Sequence, residues 1–248
     1  RGAPLRRFPR TDSGNAELFA AMYGTRLRYD HRRGEWLVYR GHWWRPDNDD
    51  EVHRLAKEAA RRRYVAALNI GDEDERRREA TFAISSENRT KLEAALALAQ
   101  AERPLADTGE GWDSDPWLFA VDNGVVDLRG GRLRPGRPED RISRHSRVAH
   151  NAAATCPTFD RFIADVLPDK EVRLYVQKLA GIALTGDVSV QILVFLHGAG
   201  SNGKSVFANA VKYVLGPDYA RQAAPGLLLK SRGDRHPTEV ADLYGARL

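Results

Sequence analysis

One stretch, from Gln191 to Gly216, restricts what the chain can fold into more than any other. It begins with an apolar run, Ile192–Leu196, which predicts a short buried strand, because runs of this length and composition are typical of such strands. A glycine-rich loop follows. Apolar residues then recur at helical spacing until Gly216-Pro217, which predicts a helix that ends there. The order strand, loop, helix predicts the start of an α/β domain.

The loop has the pattern G-x-x-x-x-G-K-[ST], which binds the phosphates of a nucleotide when a strand precedes it and a helix follows it. Glycines allow backbone N–H groups to approach phosphate oxygens, and the helix N-terminus adds more N–H groups and a positive dipole end. Lys204 is expected to contact the β- and γ-phosphates and Ser205 to complete a Mg²⁺ shell. The alternative is a chance glycine-rich turn. The predicted ATP-binding residues are Gly198, Ala199, Gly200, Ser201, Asn202, Gly203, Lys204 and Ser205.

A single cysteine, Cys156, excludes an intrachain disulfide and a cysteine zinc site, as is typical of a reducing compartment. We expect its side chain to be a small buried apolar group. No apolar run approaches the ~18 residues of a membrane span, and no signal-peptide pattern is present. These features predict a soluble cytoplasmic protein with no membrane partner.

The chain is basic, with a net charge of +5 and a pI near 9.4, and most of its cations are arginines. Arginine-rich surfaces favour polyanionic partners. Seven arginines and only two acids lie between Arg129 and Arg147, the most basic segment of the chain. We predict nucleic-acid contacts there, with solvated surface charge as the alternative. The candidates are Arg132, Arg134 and Arg137.

The N-terminal part divides into two predicted regions. Residues 1–14 are rich in proline and arginine and predict a linker, and Asn15 is a candidate helix cap. Period-two alternation between Arg26 and Arg45 predicts an antiparallel meander that belongs to a domain over residues 15–105. Its tryptophans are interpreted as the core of a small sheet, with base stacking as the alternative. They are Trp36, Trp43 and Trp44.

Three helical patterns follow the meander, the first beginning at Asp49 or Asp50 and the third after Ser86. The first two contain the arginine triplets 61–63 and 76–78, which we interpret as solvated helix faces, with contacts to a nucleic-acid backbone as the alternative. The pattern breaks between Arg103 and Gly111, which predicts a domain boundary.

Residues 106–187 predict a second region, a β-hairpin followed by helices. Its hairpin turn is placed at Asn123-Gly124. Thr158 is a candidate cap of one helix, and another is expected from about Asp169 to Leu184. The P-loop region, residues 188–248, follows directly.

Taken together, these residues resemble the phage and plasmid primase-helicases of the poxvirus primase-helicase type, whose motor belongs to helicase superfamily three. The resemblance covers most of the chain from about Asn15 and is strongest from Trp112. The resemblance rests on Asn202 before Gly203-Lys204-Ser205, the segments 123–128 and 181–186, Pro237-Thr238-Glu239, Leu243 and Arg247-Leu248.

The resemblance implies an α+β N-terminal region with a mostly helical collar, followed by the start of an α/β, AAA+-like P-loop NTPase domain. It also implies rings, commonly hexameric, that move along DNA by ATP hydrolysis, with Lys204 as the catalytic lysine. Family members place the acidic Walker B strand, a sensor and an arginine finger further along than Leu248. We therefore expect a truncated chain that does not hydrolyse ATP alone.

The leading functional hypothesis is an ATP-dependent DNA helicase of phage or plasmid replication, with ATP and Mg²⁺ at the P-loop and single-stranded or forked DNA as partner. A non-motor DNA-binding or partner-docking module with a structural nucleotide site is the first alternative. A P-loop kinase of a small metabolite is the second. The collar and the basic segment disfavour it.

Overall fold

The computed structural model describes residues 8–187, 189, 191–224, 227, 243 and 245–248. Its contacts divide the chain into two units. The first comprises Arg1–Arg40 and Trp44–Trp112, and the second comprises Gly41–Trp43 and Asp113–Leu248. The described residues contain seven α-helices and two small sheets, so the predicted α+β class is confirmed for this part of the chain.

The sheet of the first unit contains the predicted meander. Its strands are β1 (Leu27–Asp30), β2 (Glu35–Tyr39), β3 (Trp44–Pro46) and β4 (Ala106–Asp107). The first three pair antiparallel in sequence order. β4 joins the free edge of β1 in parallel, with Tyr29 opposite Ala106, which gives the order β3-β2-β1-β4. The predicted meander is therefore correct, and the fourth strand adds a pairing that its local pattern did not indicate.

Four helices complete the first unit: α1 (Asp12–Tyr23), α2 (Glu51–Ala67), α3 (Glu73–Ser86) and α4 (Arg89–Ala99). The predicted cap of α1, Asn15, is wrong. Thr11 caps the helix, because its hydroxyl accepts a hydrogen bond from the Gly14 N–H at 3.0 Å. Asn15 lies one turn inside the helix, where its amide donates to the Ser86 hydroxyl instead.

The core of the first unit forms on one face of α2. Val52, Leu55, Ala56 and Ala59 are buried there, at the helical spacing expected from the sequence. They pack with apolar side chains of α1, α4 and the sheet in one cluster. The tertiary contacts of this face stabilise the helix more than its composition does.

Arg63 continues the buried face of α2, and its side chain is fully buried. Its Nε donates to the Glu79 carboxylate, whose side chain is 7% exposed. Its two terminal nitrogens donate to Asn15 Oδ1 at 3.0 Å and to the Phe8 carbonyl at 3.1 Å. The guanidinium carbon also lies 4.7 Å from the centre of the Phe82 ring. The interpretation of the first arginine triplet as a solvated face is therefore wrong for Arg63.

The second unit contains a three-stranded antiparallel sheet of β5 (Leu118–Val121), β6 (Gly124–Asp127) and β7 (Arg132–Arg134). The predicted hairpin is confirmed, but its turn consists of Asp122 and Asn123, one residue earlier than predicted, since Val121 lies opposite Gly124 and Gly124 begins β6. A Cβ at Gly124 would lie 2.6 Å from the Arg134 carbonyl oxygen, so the neighbouring strand requires glycine there. One further turn, the 3₁₀ segment Pro138–Asp140, follows β7.

The helices of the second unit are α5 (Pro157–Val166), α6 (Lys170–Leu184) and α7 (Lys204–Leu215). The predicted start of α6 is confirmed, because the Asp169 carboxylate accepts from the Glu171 N–H at 2.7 Å. Thr158 does not cap α5. The helix already includes Pro157, and Cys156 occupies the cap position without a side-chain capping bond. Proline suits the first helical position, since its missing N–H would have no intrahelical partner there.

Two further predictions in the second unit are wrong. Cys156 is exposed rather than buried, because it lies before the helix instead of on an inward face. Ile192–Leu196 does not form a strand, and these side chains are exposed. A strand requires a neighbour for its backbone groups, and no residue in the described ranges pairs with this run. The predicted features of residues 228–242 lie outside the described residues.

None of the helices in the described part of the chain combines the length and apolar character needed to cross a membrane.

Candidate nucleotide and nucleic-acid sites

The predicted phosphate-binding loop turns sharply and leads directly into α7. Four of its residues have positive φ angles: 156° at Gly198, 99° at Gly200, 50° at Ser201 and 79° at Gly203. The loop also closes on itself, since a Cβ at Gly198 would lie 1.9 Å from the Asn202 side-chain nitrogen. Any side chain at position 198 would therefore displace the Asn202 amide, and the φ of 156° at Gly198 is one that side chains rarely adopt.

The ammonium group of Lys204 is held inside this turn. It donates to Asn202 Oδ1 at 2.5 Å and to the Gly198 carbonyl oxygen at 3.3 Å. Both acceptors are neutral, so the loop leaves the positive charge of Lys204 without an acidic partner among these contacts. An anionic oxygen would compete well for this ammonium, because charge-assisted hydrogen bonds are the stronger kind.

The N-terminus of α7 adds donors beside the lysine. The first backbone bond of the helix runs from the Phe207 N–H to the Gly203 carbonyl at 2.9 Å. The N–H groups of Lys204, Ser205 and Val206 precede it and have no carbonyl one turn earlier in the helix. The Ser205 side chain is exposed at the same end. A cation, backbone donors and a hydroxyl are the groups that a triphosphate and its Mg²⁺ require.

The loop also packs against α5. A Cβ at Gly203 would lie 2.7 Å from Val166 Cγ1 and 2.9 Å from Phe162 Cζ. Gly203 has a φ of 79°, which side chains rarely adopt. Both the backbone and the apolar side chains of α5 therefore fix glycine at this position.

The three arginines predicted to contact nucleic acid are not equivalent. Arg134 forms a bidentate ion pair with Asp140, with both distances 2.8 Å. Partial burial acts to raise the pKa of Asp140, but the Arg134 hydrogen bonds and other cationic and backbone partners hold it below its ordinary value. Arg132 and Arg137 are exposed. The structure thus leaves Arg132 and Arg137 accessible to a ligand and uses Arg134 internally.

Other arginines of the same basic segment also have internal partners. Arg129 binds Asp115 at 2.9 Å and lies 5.9 Å from the centre of the Trp117 ring. Arg144 donates to the Gly245 carbonyl. Much of the positive charge that the sequence places here is therefore neutralised or hydrogen-bonded within the unit.

The tryptophans of the meander mainly serve the fold. Trp44 is 1% exposed, and Trp36 packs against the core with its ring 6.2 Å from that of Phe19. This confirms their interpretation as core residues. Trp43 belongs to the second unit, where its ring stacks on His145 at 4.6 Å and an angle of 7°.

No cluster of three or more histidine, cysteine, aspartate or glutamate side chains suited to a metal ion occurs among the residues that the structure describes.

Comparison with known protein families identifies the family of the N-terminal two thirds of the chain. The sequence model of the family described as D5 N terminal like matches residues 16–168, which is more than half of the chain.

Comparison with curated proteins gives viral relatives. A protein of Acanthamoeba polyphaga mimivirus named "Putative helicase" is 32% identical over 141 residues, which is 54% of this chain and 15% of that protein. A "Putative helicase" of Invertebrate iridescent virus 3 is 26% identical over 121 residues, 47% of this chain and 13% of that protein. One of Frog virus 3 is 58% identical over 40 residues, 16% of this chain and 4% of that protein. The chain thus spans less than a sixth of the length of these relatives.

Proposed function

This chain belongs to the D5 N-terminal-like family, and from that premise we propose that it is part of an ATP-dependent DNA helicase of the primase-helicase type. The helicase names of the viral relatives and the D5 N-terminal-like match support a role in replication of the helicase-primase kind. The proposal adds the substrate, ATP with Mg²⁺, and the track, single-stranded or forked DNA. It includes assembly as a ring, commonly a hexamer, in keeping with the family resemblance.

One observation carries the proposal. The Lys204 ammonium lies inside a tight glycine-containing turn at the N-terminus of α7, where the oxygens it donates to among the described residues are the neutral ones of Gly198 and Asn202. This arrangement supports nucleotide binding, because the ammonium, the helix N–H groups and the Ser205 hydroxyl converge at one end of the helix. The same geometry gives no comparable reason for binding a neutral ligand.

Each residue of the loop has a defined part in this proposal. Lys204 exchanges the Asn202 and Gly198 oxygens for oxygens of the β- and γ-phosphates. The N–H groups at the start of α7 bind phosphate oxygens, and Ser205 holds Mg²⁺. Gly198, Ala199, Gly200 and Ser201 form the backbone turn around the phosphates. ATP supplies the free energy for movement along DNA when it is hydrolysed.

The test uses the longer protein of which, under this proposal, the chain is a part. Single-stranded DNA should raise its rate of ATP hydrolysis, and Lys204→Ala should lower that rate roughly 100-fold or more, as expected when a preorganised charge at the transferred phosphate is removed. Lys178→Ala is the matched control, since Lys178 is an exposed lysine of α6 outside the loop. It should leave hydrolysis unchanged.

Two results would redirect the proposal. Hydrolysis that DNA does not alter would favour a kinase acting on a small molecule. DNA binding that is indifferent to ATP would favour a docking module in which the nucleotide has a structural role. The accessible arginines Arg132 and Arg137 remain proposed contacts of the DNA backbone.

A further inference from the structure

A groove of about 930 Å³ lies along the C-terminal half of α7, inside the second unit. Asn209, Lys212 and Tyr213 line one wall from a single face of the helix. Arg147 lines it from the segment after β7, and Gln222 from the segment after the helix. The volume is within the range of about 300–1,000 Å³ that is usual for ligand sites.

The segments that line the groove are held together by partly buried hydrogen bonds. The Ser146 hydroxyl donates to the Val214 carbonyl at 2.6 Å, which ties the residue beside Arg147 to α7. The His145 N–H donates to the Asp218 carboxylate at 3.0 Å, and the buried Tyr219 hydroxyl donates to the Arg144 carbonyl at 2.9 Å. The position of Arg147 relative to Lys212 is therefore set by the fold and needs no ligand.

The lining is positively charged. Arg147, Lys212 and Arg221 line it from separate segments of the chain, and Arg147 and Lys212 form no ion pair within the described residues. The described lining residues include no acid. A pair of uncompensated cations across a concave surface attracts an anionic ligand strongly.

An aromatic ring lies beside these cations. Tyr213 follows Lys212 directly, and 77% of its surface is exposed. Its ring has no aromatic or cationic contact in the described part of the chain. An exposed ring next to cations is what single-stranded nucleic acids bind, since each base stacks on the ring while the phosphates contact the charges.

We propose that this groove binds a single strand of nucleic acid, with Lys212 and Arg147 on its phosphates and Tyr213 stacked on a base. The site is separate from the P-loop, which lies at the opposite end of α7. The proposal deepens the proposed helicase function and rests on it for the identity of the strand. It assigns nucleic-acid contacts to residues outside Arg132 and Arg137.

The test measures binding of fluorescein-labelled dT20 and rU20 to the longer protein by anisotropy at several salt concentrations. Lys212→Glu combined with Arg147→Glu should flatten the plot of log affinity against log salt by about 1.4, since each phosphate contact of a single strand contributes roughly 0.7. Tyr213→Ala should weaken binding roughly 5- to 150-fold, and Tyr213→Phe should not. Lys178→Glu is the charge control, because Lys178 is an exposed cation outside the groove. This variant should have the same salt slope as the parent.

Two outcomes overturn the proposal. In the first, the groove variants bind both oligonucleotides as the parent does. In the second, Lys178→Glu flattens the plot of log affinity against log salt as much as a single groove substitution does. Tighter binding of dT20 or of rU20 supports the site and identifies the strand.

Binding of a fluorescent ATP analogue to the same variants separates this proposal from the proposed function. Groove variants that lose the oligonucleotide and keep the analogue support the groove and confirm that the protein is folded. If the parent protein binds dT20 but not the ATP analogue, the proposed ATP-dependent helicase function is contradicted and the proposed nucleic-acid site in the groove is still supported.

Discussion

Replacement of Arg63 by methionine tests how much of the first unit depends on its buried ion pair. The substitution keeps the length of the apolar stem and removes a guanidinium that is fully buried. Glu79, with a side chain 7% exposed, would then retain one ion-pair partner among the described residues, Arg10 at 3.6 Å. The carbonyl of Phe8 and the amide oxygen of Asn15 would lose their donor as well.

These contacts determine how much the substitution should lower the free energy of unfolding. Removing one partner of a buried ion pair costs about 3–5 kcal/mol, mostly because the other charge stays buried without compensation. Arg62→Met is the matched control. Arg62 is the preceding residue of the same helix, its side chain is 64% exposed, and it pairs with Glu58 at the surface. Exposed pairs of this kind contribute about 0–1 kcal/mol.

The assay is urea unfolding followed by tryptophan fluorescence, with the free energy of unfolding compared at equal slope. The double variant Arg63→Met with Glu79→Leu should recover much of the loss, because it removes both buried charges together. Equal losses for Arg63→Met and Arg62→Met would refute the reasoning, and so would a double variant that loses the sum of the single losses.

Two further predictions concern the second unit. Gly203→Ala should weaken binding of a fluorescent ATP analogue by at least tenfold. The reason is that the added Cβ would contact Phe162 of α5 and that alanine would be strained at the positive φ of this position. An affinity equal to that of the parent would show that the loop adapts. Burial lowers the pKa of His42 and His145 below the ordinary 6.5, so the unfolded chain binds more protons once the pH falls past 6.5. The unit should therefore keep its stability above that pH and lose it as the pH falls toward the folded-state values, and a urea midpoint that stays constant between about pH 8 and pH 5 would contradict this.

Local patterns predicted the elements whose cause is local. The hairpin between β5 and β6 follows from the turn residues around Asn123, although the turn lies one residue earlier than predicted. Asp169 precedes α6 because its carboxylate accepts the first N–H groups. The start of α7 at Lys204 followed from the loop pattern in the same way. These predictions needed only neighbours within a few residues.

The phase of α2 could have identified Arg63 as buried. It lies four residues after Ala59 and eleven after Val52, on the face that the apolar residues define. Treating residues 61–63 as three equivalent surface charges hides the difference between Arg62 and Arg63. The partners of Arg63 come from α1 and α3, which no local pattern indicated.

Contacts between distant segments account for the rest. The two cations of the groove that form no ion pair in the described part of the chain come from positions 147 and 212, which the sequence does not relate to each other. The neutralisation of Arg134 depends on the turn that brings Asp140 back to β7. The apolar run 192–196 has the composition of a strand, but composition does not supply a pairing partner.

The short strand β4 has a practical consequence for anyone dividing this chain. Ala106 and Asp107 pair with β1, nearly eighty residues earlier, and cover an edge that would otherwise present unpaired backbone groups. A fragment that stops at residue 103 keeps every helix of the first unit and still exposes this edge to other molecules. We expect such a fragment to self-associate, whereas one extended to Trp112 should remain monomeric at the same concentration.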